Sequence, residues 1–313
     1  MIKMYHSSAL ASGDEPGFWD DSWRDGSLAE ALRFCEQDPL QPLFERYVPG
    51  GSLLLEGGCG LGQYVVFYGR RGRRVVGLDF APTTLGQLKG REPSAKLCRG
   101  DVAALPFADA CFDAYFSGGV VEHFETGPRR ALEEAWRVLR ADGRFLVSVP
   151  YASPLRRAKI AVDAAPATWV VRSAGSFIRE DRQGQAFWQH AFSRREFAGL
   201  LDEAGFQVLE VQPYSVLFGL YELPGLSWVT RVATGRSASG ASCTPAARGI
   251  EARGTTAARP PAWRLRSLLR RLVVQEDRTV PILGAGVSVC AALGANMLMF
   301  VCSKANRAKG GRS

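Results

Sequence analysis

The sequence predicts an α/β fold in which a parallel sheet is covered by helices on both faces. Three observations predict it. Apolar runs alternate with amphipathic stretches from Ser52 to Val149, the pattern of strands joined by crossover helices. The run Leu53-Leu54-Leu55 is apolar at every position, as a strand buried on both faces must be. Between about Pro128 and Arg140, Leu132, Ala135, Trp136 and Leu139 fall on one side of a helix that Asp142-Gly143 stops, which makes it a crossover helix.

Residues 1–50 hold Phe18, Trp19, Trp23, Leu28, Leu32 and Phe34 among acids and read as an N-terminal cap of one or two helices. Strands follow near 53–56, 74–78, 95–98, 112–117 and 144–149, with helices between. Beyond Tyr151 the pattern loosens until Ser193-Arg194-Arg195-Glu196, a capping box opening a helix that runs through Ala204 to a stop at Gly205. A strand over Phe206–Val211 comes next. Residues 235–261 are almost all Ala, Gly, Ser, Thr, Pro and Arg, too poor in large apolar groups to offset the entropy of ordering, and read as a disordered insertion. Over 263–274, Trp263, Leu265, Leu268, Leu269, Leu272 and Val273 share a helix with four arginines, a basic amphipathic segment suited to a protein or membrane surface. Val280–Cys302 carries no charge over 23 residues, enough to cross a bilayer, which takes roughly 20. Proline and glycines interrupt it, however, and Met297–Cys302 reads equally well as a buried final strand. A short basic tail, 305–313, ends the chain.

The net charge of +8 is unevenly placed: 17 Lys/Arg against 20 Asp/Glu over 1–150, and 22 against 11 over 151–313. A basic C-terminal half suits anionic lipid, nucleic acid or an acidic substrate, but more often it is a solvated face. The seven cysteines are scattered, with no Cys-x-x-Cys, and no signal peptide opens the chain; both fit a reduced, cytoplasmic setting. No metal site is expected.

The chemistry concentrates where the first strand of the alternating region ends. Glu56-Gly57-Gly58-Cys59-Gly60-Leu61-Gly62 joins an acid to alternating glycines, which let backbone turn sharply and approach a charged nucleotide-like ligand. A dinucleotide loop, Gly-x-Gly-x-x-Gly, would need glycine at 63; Gln63 stands there, which argues against NAD. Asp79 ends the second strand 21 residues beyond Gly58, the spacing at which a carboxylate meets a ribose hydroxyl pair. Asp101, after the third strand, can accept from an adenine amino group while a neighbouring backbone amide serves a ring nitrogen.

These motifs, with Gly77-Leu78-Asp79-Phe80, Gly100-Asp101-Val102, Leu105-Pro106-Phe107, Phe112-Asp113, Gly119-Val120-Val121-Glu122-His123-Phe124 and Glu134-Ala135-Trp136-Arg137-Val138-Leu139, resemble the class I S-adenosylmethionine-dependent methyltransferases. The likeness covers about 43–150, and more weakly 187–211 and 296–304. It implies a Rossmann-like three-layer sandwich, a seven-stranded sheet with an antiparallel last strand, over 51–234 and 262–304. It also implies S-adenosylmethionine as methyl donor. The loop from Glu56 through Gly57, Gly58, Cys59, Gly60 and Gly62 would hold the methionine part, Asp79 with Phe80 the ribose, Asp101 with Val102 the adenine, and Ser117-Gly118 the wall beside the sulfonium. Two departures stand out: Gly57 replaces a larger apolar residue, and Ala141-Asp142 replaces Lys-Pro.

Methyl transfer from a sulfonium is an in-line displacement that holding and alignment can accelerate without a base. Where a base is used, His123 just after the fourth strand and His190 in Phe187-Trp188-Gln189-His190 are the candidates. Trp19, Trp23, Phe187 and Trp188 suit either a core or a wall for an aromatic or lipidic acceptor. The fourth strand ends in Ser117-Gly118-Gly119-Val120, without the Asn/Asp-Pro-Pro-aromatic or Pro-Cys motifs of base-methylating enzymes. The expected acceptor is therefore a small molecule; a nucleic-acid acceptor, or a membrane-associated lipid or quinone acceptor reached through peripheral membrane contact of 263–274, are the alternatives.

Overall fold

The computed structural model describes residues 1–6, 16–164, 186–216, 219, 276 and 283–305. Seven strands form the main sheet: β2 Leu53–Gly57, β3 Arg74–Asp79, β4 Lys96–Arg99, β5 Phe112–Gly118, β6 Leu139–Pro150, β8 Phe206–Tyr214 and β9 Met297–Lys304. Their order is β4-β3-β2-β5-β6-β9-β8. β9 runs antiparallel to both of its neighbours, and the pairings among β2 to β6 are parallel. This is the expected sandwich with one reversed strand. The chain leaves β2 toward β3 and β4, then returns to β5 on β2's other side, so the crevice where strand order reverses opens at the carboxyl ends of β2 and β5.

Side-chain alternation explains the uninterrupted apolar runs. Leu55, Tyr115 and Phe145 point into one core with α6 Arg129–Val138 and α8 Arg194–Glu203, while Leu54, Phe116 and Leu146 point into the other with α3 Gln41–Tyr47 and α4 Gln63–Gly69. Each strand thus buries both sets of side chains. Helices α2 Leu28–Cys35 and α5 Pro82–Arg91 complete the covering layer beside α4. The capping box at Ser193 forms as read: its hydroxyl accepts from the Glu196 amide, and Glu196 accepts from the Ser193 amide. Gly205 ends the segment at φ +91°.

Two segments depart from the expectation. Residues 1–50 are not purely helical: before α1 Pro16–Trp23 lies β1 Ile2–His6, paired antiparallel with β7 Ala186–Ala191 in a separate two-stranded sheet. Five residues cannot display a period, and β1's partner lies far along the chain. The loosened stretch after Tyr151 contains α7 Pro154–Ala164 as well as β7, and Phe192 and Ala152 join β7 to the end of β6 through a backbone bond of 2.8 Å. The segment 280–302 resolves into α9 Leu283–Gly294 and β9, and no helix among the described residues is long and apolar enough to cross a membrane. The insertion at 235–261, the basic segment 263–274 and the tail beyond 305 lie outside the described residues.

Candidate active site at the carboxyl edge of the sheet

The glycine loop is folded back onto β3. The Gly58 and Cys59 amides both donate to the Leu78 carbonyl, at 2.7 and 2.9 Å. Gly58, Gly60 and Gly62 have φ of +74°, +48° and +73°, a region side chains resist. A Cβ on Gly58 would collide with Val120, and one on Gly62 with Leu88. At Gly60 it would lie 2.9 Å from Trp23, so α1 roofs this part of the loop. Gly57 departs from the family's larger residue for a local reason: any side chain there would strike Tyr115.

Asp79 ties the loop to the end of β3. One carboxylate oxygen accepts from the Gly60 amide at 2.8 Å and the other from Ala81 at 3.0 Å; burial raises its pKa against those bonds. Phe80 is half-buried beside it. Glu56 is 3% exposed, and its Oε2 has no hydrogen-bond partner. Burial, then the nearby Asp79 charge, pushes its carboxyl well up. The Gly100 amide donates to the Asp79 carbonyl at 3.0 Å, placing Asp101 beside Asp79, and Asp101 is itself exposed with one oxygen accepting from Ala103. Val102 turns its side chain into the core, which leaves its backbone for any ligand contact. Cys59 is buried and its thiol is held well above the usual range by burial, so it is packing rather than a nucleophile. Ser117, at the end of β5, is fully buried with an unpartnered Oγ, next to the exposed Gly118.

The donor set fits S-adenosylmethionine. Side-chain-free backbone for close approach, two acids at successive strand ends and the unpartnered oxygens of Glu56 and Ser117 are together what a polar ligand with an amine, a diol and a purine would use.

On the other side of the crevice a 3-10 turn, Val121–His123, follows β5. Burial lowers the His123 pKa to about 4, so the ring is neutral near pH 7. Its Nδ1 lies 2.8 Å from the Trp188 carbonyl, an acceptor that fixes the proton on Nδ1 and leaves Nε2 unprotonated, though a weaker base than a free imidazole. The imidazole packs at a steep angle against two indoles, with ring centroids 4.8 Å from Trp19 and 4.7 Å from Trp188; these indoles stack on each other at 5.8 Å, and Phe18 packs edge-on against both. Trp19 and Trp188 thus meet at the crevice, whereas Phe187 packs on Tyr5 of β1. His190 lies close enough to act on His123 electrostatically. It is fully buried against Phe187 and Phe192, makes no side-chain hydrogen bond of ordinary geometry, and is held near pKa 4 by burial.

One residue escaped the sequence reading. Glu122 is 2% exposed, with Oε2 unpartnered, and burial carries its pKa to about 8. Its only signal in the sequence is an acid placed between an apolar pair and His123. Among the described residues, no cluster of three or more His, Cys, Asp or Glu could hold a metal ion.

A doubly wound sheet with one reversed strand, a glycine loop after its central strand and acids after the next two define a Rossmann-like domain of the class I methyltransferase kind. Residues 55–147 match the family model described as a methyltransferase domain, so this part of the chain is similar to the S-adenosylmethionine-dependent methyltransferases. Among relatives, the chain is 37% identical over 106 residues to malonyl-[acyl-carrier protein] O-methyltransferase of Serratia marcescens, covering 34% of this chain and 41% of that one. It is 33% identical over 126 residues to a ubiquinone/menaquinone biosynthesis C-methyltransferase of Caulobacter vibrioides, covering 38% and 48%. The matched region spans less than half the length of each. The fold also resembles one chain of the complex between the Haloferax volcanii Trm112 methyltransferase activator and a methyltransferase, with a TM-score of 0.51 at 16% identity over 94% of this chain and 99% of that one.

Proposed function

We propose that the protein transfers a methyl group from S-adenosylmethionine to an O, N or C atom of a small molecule held in the crevice between the ends of β2 and β5. The donor supplies a methyl on a positive sulfur. The observation that carries the reading is the glycine loop tied to Asp79, with the unpartnered Glu56 Oε2 buried at its start. In this reading Glu56, Gly57, Gly58, Cys59, Gly60 and Gly62 receive the methionine part, Asp79 and Phe80 the ribose, Asp101 and the Val102 backbone the adenine, and Ser117-Gly118 lie beside the sulfur. His123, neutral and held by Trp188, offers Nε2 to the acceptor, and the indoles of Trp19 and Trp188 exclude water there. His190, enclosed by phenylalanines, supports the wall rather than meeting substrate.

The relatives' names give different acceptors, an acyl-carrier-bound malonyl group and a quinone pathway, so the shared domain supports the donor and leaves the acceptor to residues outside it. Calorimetry with S-adenosylhomocysteine tests the reading. Binding is expected with the native chain, and Asp79→Asn, which weakens the acceptor for the ribose hydroxyls, is expected to lower affinity about tenfold. No binding by the native protein, or equal binding by the variant, overturns it.

A further inference from the structure

Resting on the methyltransferase reading, we propose that the acceptor is an amine that enters as an ammonium ion, and that Glu122 receives its proton before methyl transfer. Three observations lead there. First, the Glu122 carboxyl is almost wholly buried at the crevice, its Oε1 is the sole atom that would lie within 4 Å of a Cβ on Gly119, and its Oε2 has no partner. A buried carboxylate is costly without a counter-charge or a donor, and its own backbone amide gives this carboxyl one bond, so the unpartnered Oε2 suits a ligand that brings both.

Second, the described groups around it supply no cation. From the 3-10 turn comes His123, neutral at pH 7; from β7 comes His190, also neutral; from β5, the hydroxyl of Ser117. From β8 comes the phenol of Tyr214, bonded to Ser148 at 2.6 Å, and the charges that act on it are the acids Asp38, Glu122 and Glu276. Lys3 of β1 is engaged with Glu125 at 3.4 Å and lies over the Phe187 ring. A buried carboxyl among neutral imidazoles and hydroxyls favours a positive guest.

Third, the indoles of Trp19 and Trp188, stacked on each other, both pack against the imidazole of His123, the very next residue after Glu122. Indole faces attract ammonium groups and hold the apolar body that carries them.

The step balances simply. The Glu122 carboxyl, protonated in the free protein near neutral pH, gives that proton to water as the ammonium ion enters and pairs with it; the ammonium N–H bond then breaks as its proton passes to the Glu122 carboxylate oxygen, freeing the nitrogen lone pair. That pair forms the new N–C bond to the methyl carbon as the C–S bond breaks and its electrons return to sulfur, leaving a neutral thioether. The methylated product is again an ammonium ion, and Glu122 releases its proton to water. Burial raises the carboxyl to about 8, close to working pH, where a group both takes and returns protons readily.

The test uses the full chain saturated with S-adenosylhomocysteine and three matched probe pairs: benzylamine with benzyl alcohol, 2-phenylethylamine with 2-phenylethanol, and cyclohexylamine with cyclohexanol. At least one amine is expected to bind about tenfold more tightly than its alcohol. Glu122→Gln is expected to erase that preference while leaving S-adenosylhomocysteine affinity unchanged, which also shows that the variant folds. No amine preference in any pair, or a preference that survives in Glu122→Gln, overturns the proposal. Failure of the native chain to bind S-adenosylhomocysteine removes the methyltransferase reading instead, so the two failures are distinct.

Discussion

Glu122 also governs how the free protein responds to pH. Its pKa rises from an ordinary carboxyl value of 4.5 to about 8 by burial, so between those limits the folded chain keeps a proton that the unfolded chain has lost. Its contribution to stability is therefore present at low pH and lost as pH rises toward 8. Asp38, raised by burial to about 6 although Tyr64 donates to it, works in the same sense over a lower window. His123 and His190 work oppositely: lowered to about 4, they make the folded state more stable as pH climbs from 4 to 6.5. Above pH 7 the histidines and Asp38 have largely titrated and Glu122 remains, joined by the raised Glu56. Urea unfolding of the free chain between pH 7 and 8 should show stability falling by about 1 kcal/mol per pH unit for each carboxyl still protonated in the folded state, with a shallower slope in Glu122→Gln. Equal slopes in the two proteins would show that this carboxyl is already ionised near neutral pH.

At the level of elements, α8 shows how a short local signal fixes a helix that the core then uses. The Ser193 and Glu196 side chains satisfy amides at its first turn, and Phe197 and Leu201 bury against the sheet beside Phe192 and Phe300. Replacing Ser193 by Ala leaves a first-turn amide without its side-chain acceptor and should cost about 1 kcal/mol, read as a lower urea midpoint at unchanged slope; a shift in slope would mean that α8 had detached instead. Elements like α8, and strands buried on two faces, were legible because their chemistry is local. The strands over 53–57, 74–79 and 297–304 follow from apolar runs alone, and Asp79 and Asp101 stand where the sequence places them, after such runs. β1 and β7 were not legible, since each is short and stabilised by pairing with the other across most of the chain. The crossover helix stops at Val138, before Arg140, because Leu139 already pairs with Phe112. Glu122 was invisible as a site residue for a further reason: that an acid lacks a partner is a property of packing, which no spacing in the sequence encodes.

Across the whole molecule, α1 joins the two halves of the crevice although it lies outside the Rossmann-like domain. Trp23 roofs Gly60 on the side proposed for the donor, Trp19 stands against His123 and Trp188 on the side proposed for the acceptor, and Asp20 between them accepts from the Thr83 and Thr84 amides and the Thr84 hydroxyl at the start of α5. Those bonds outweigh burial and hold Asp20 below the usual carboxylate range, as a charge at a helix N-terminus should be. None of the described α1 side chains belongs to the buried core, so the helix is held by these few polar and aromatic contacts. Asp20→Ala should therefore loosen α1 while leaving the sheet intact. Because Asp20 is only partly buried, the loss is about 1 kcal/mol, or roughly fivefold in affinity for S-adenosylhomocysteine. Calorimetry gives the affinity, urea unfolding should show a nearly unchanged midpoint, and tryptophan emission should report increased solvent around Trp19 and Trp23. If affinity holds while the midpoint falls, α1 is a brace for the domain and not a wall of the site; if affinity falls alone, donor binding and acceptor enclosure are coupled through one helix, and a bound donor closes the space in which the acceptor must sit.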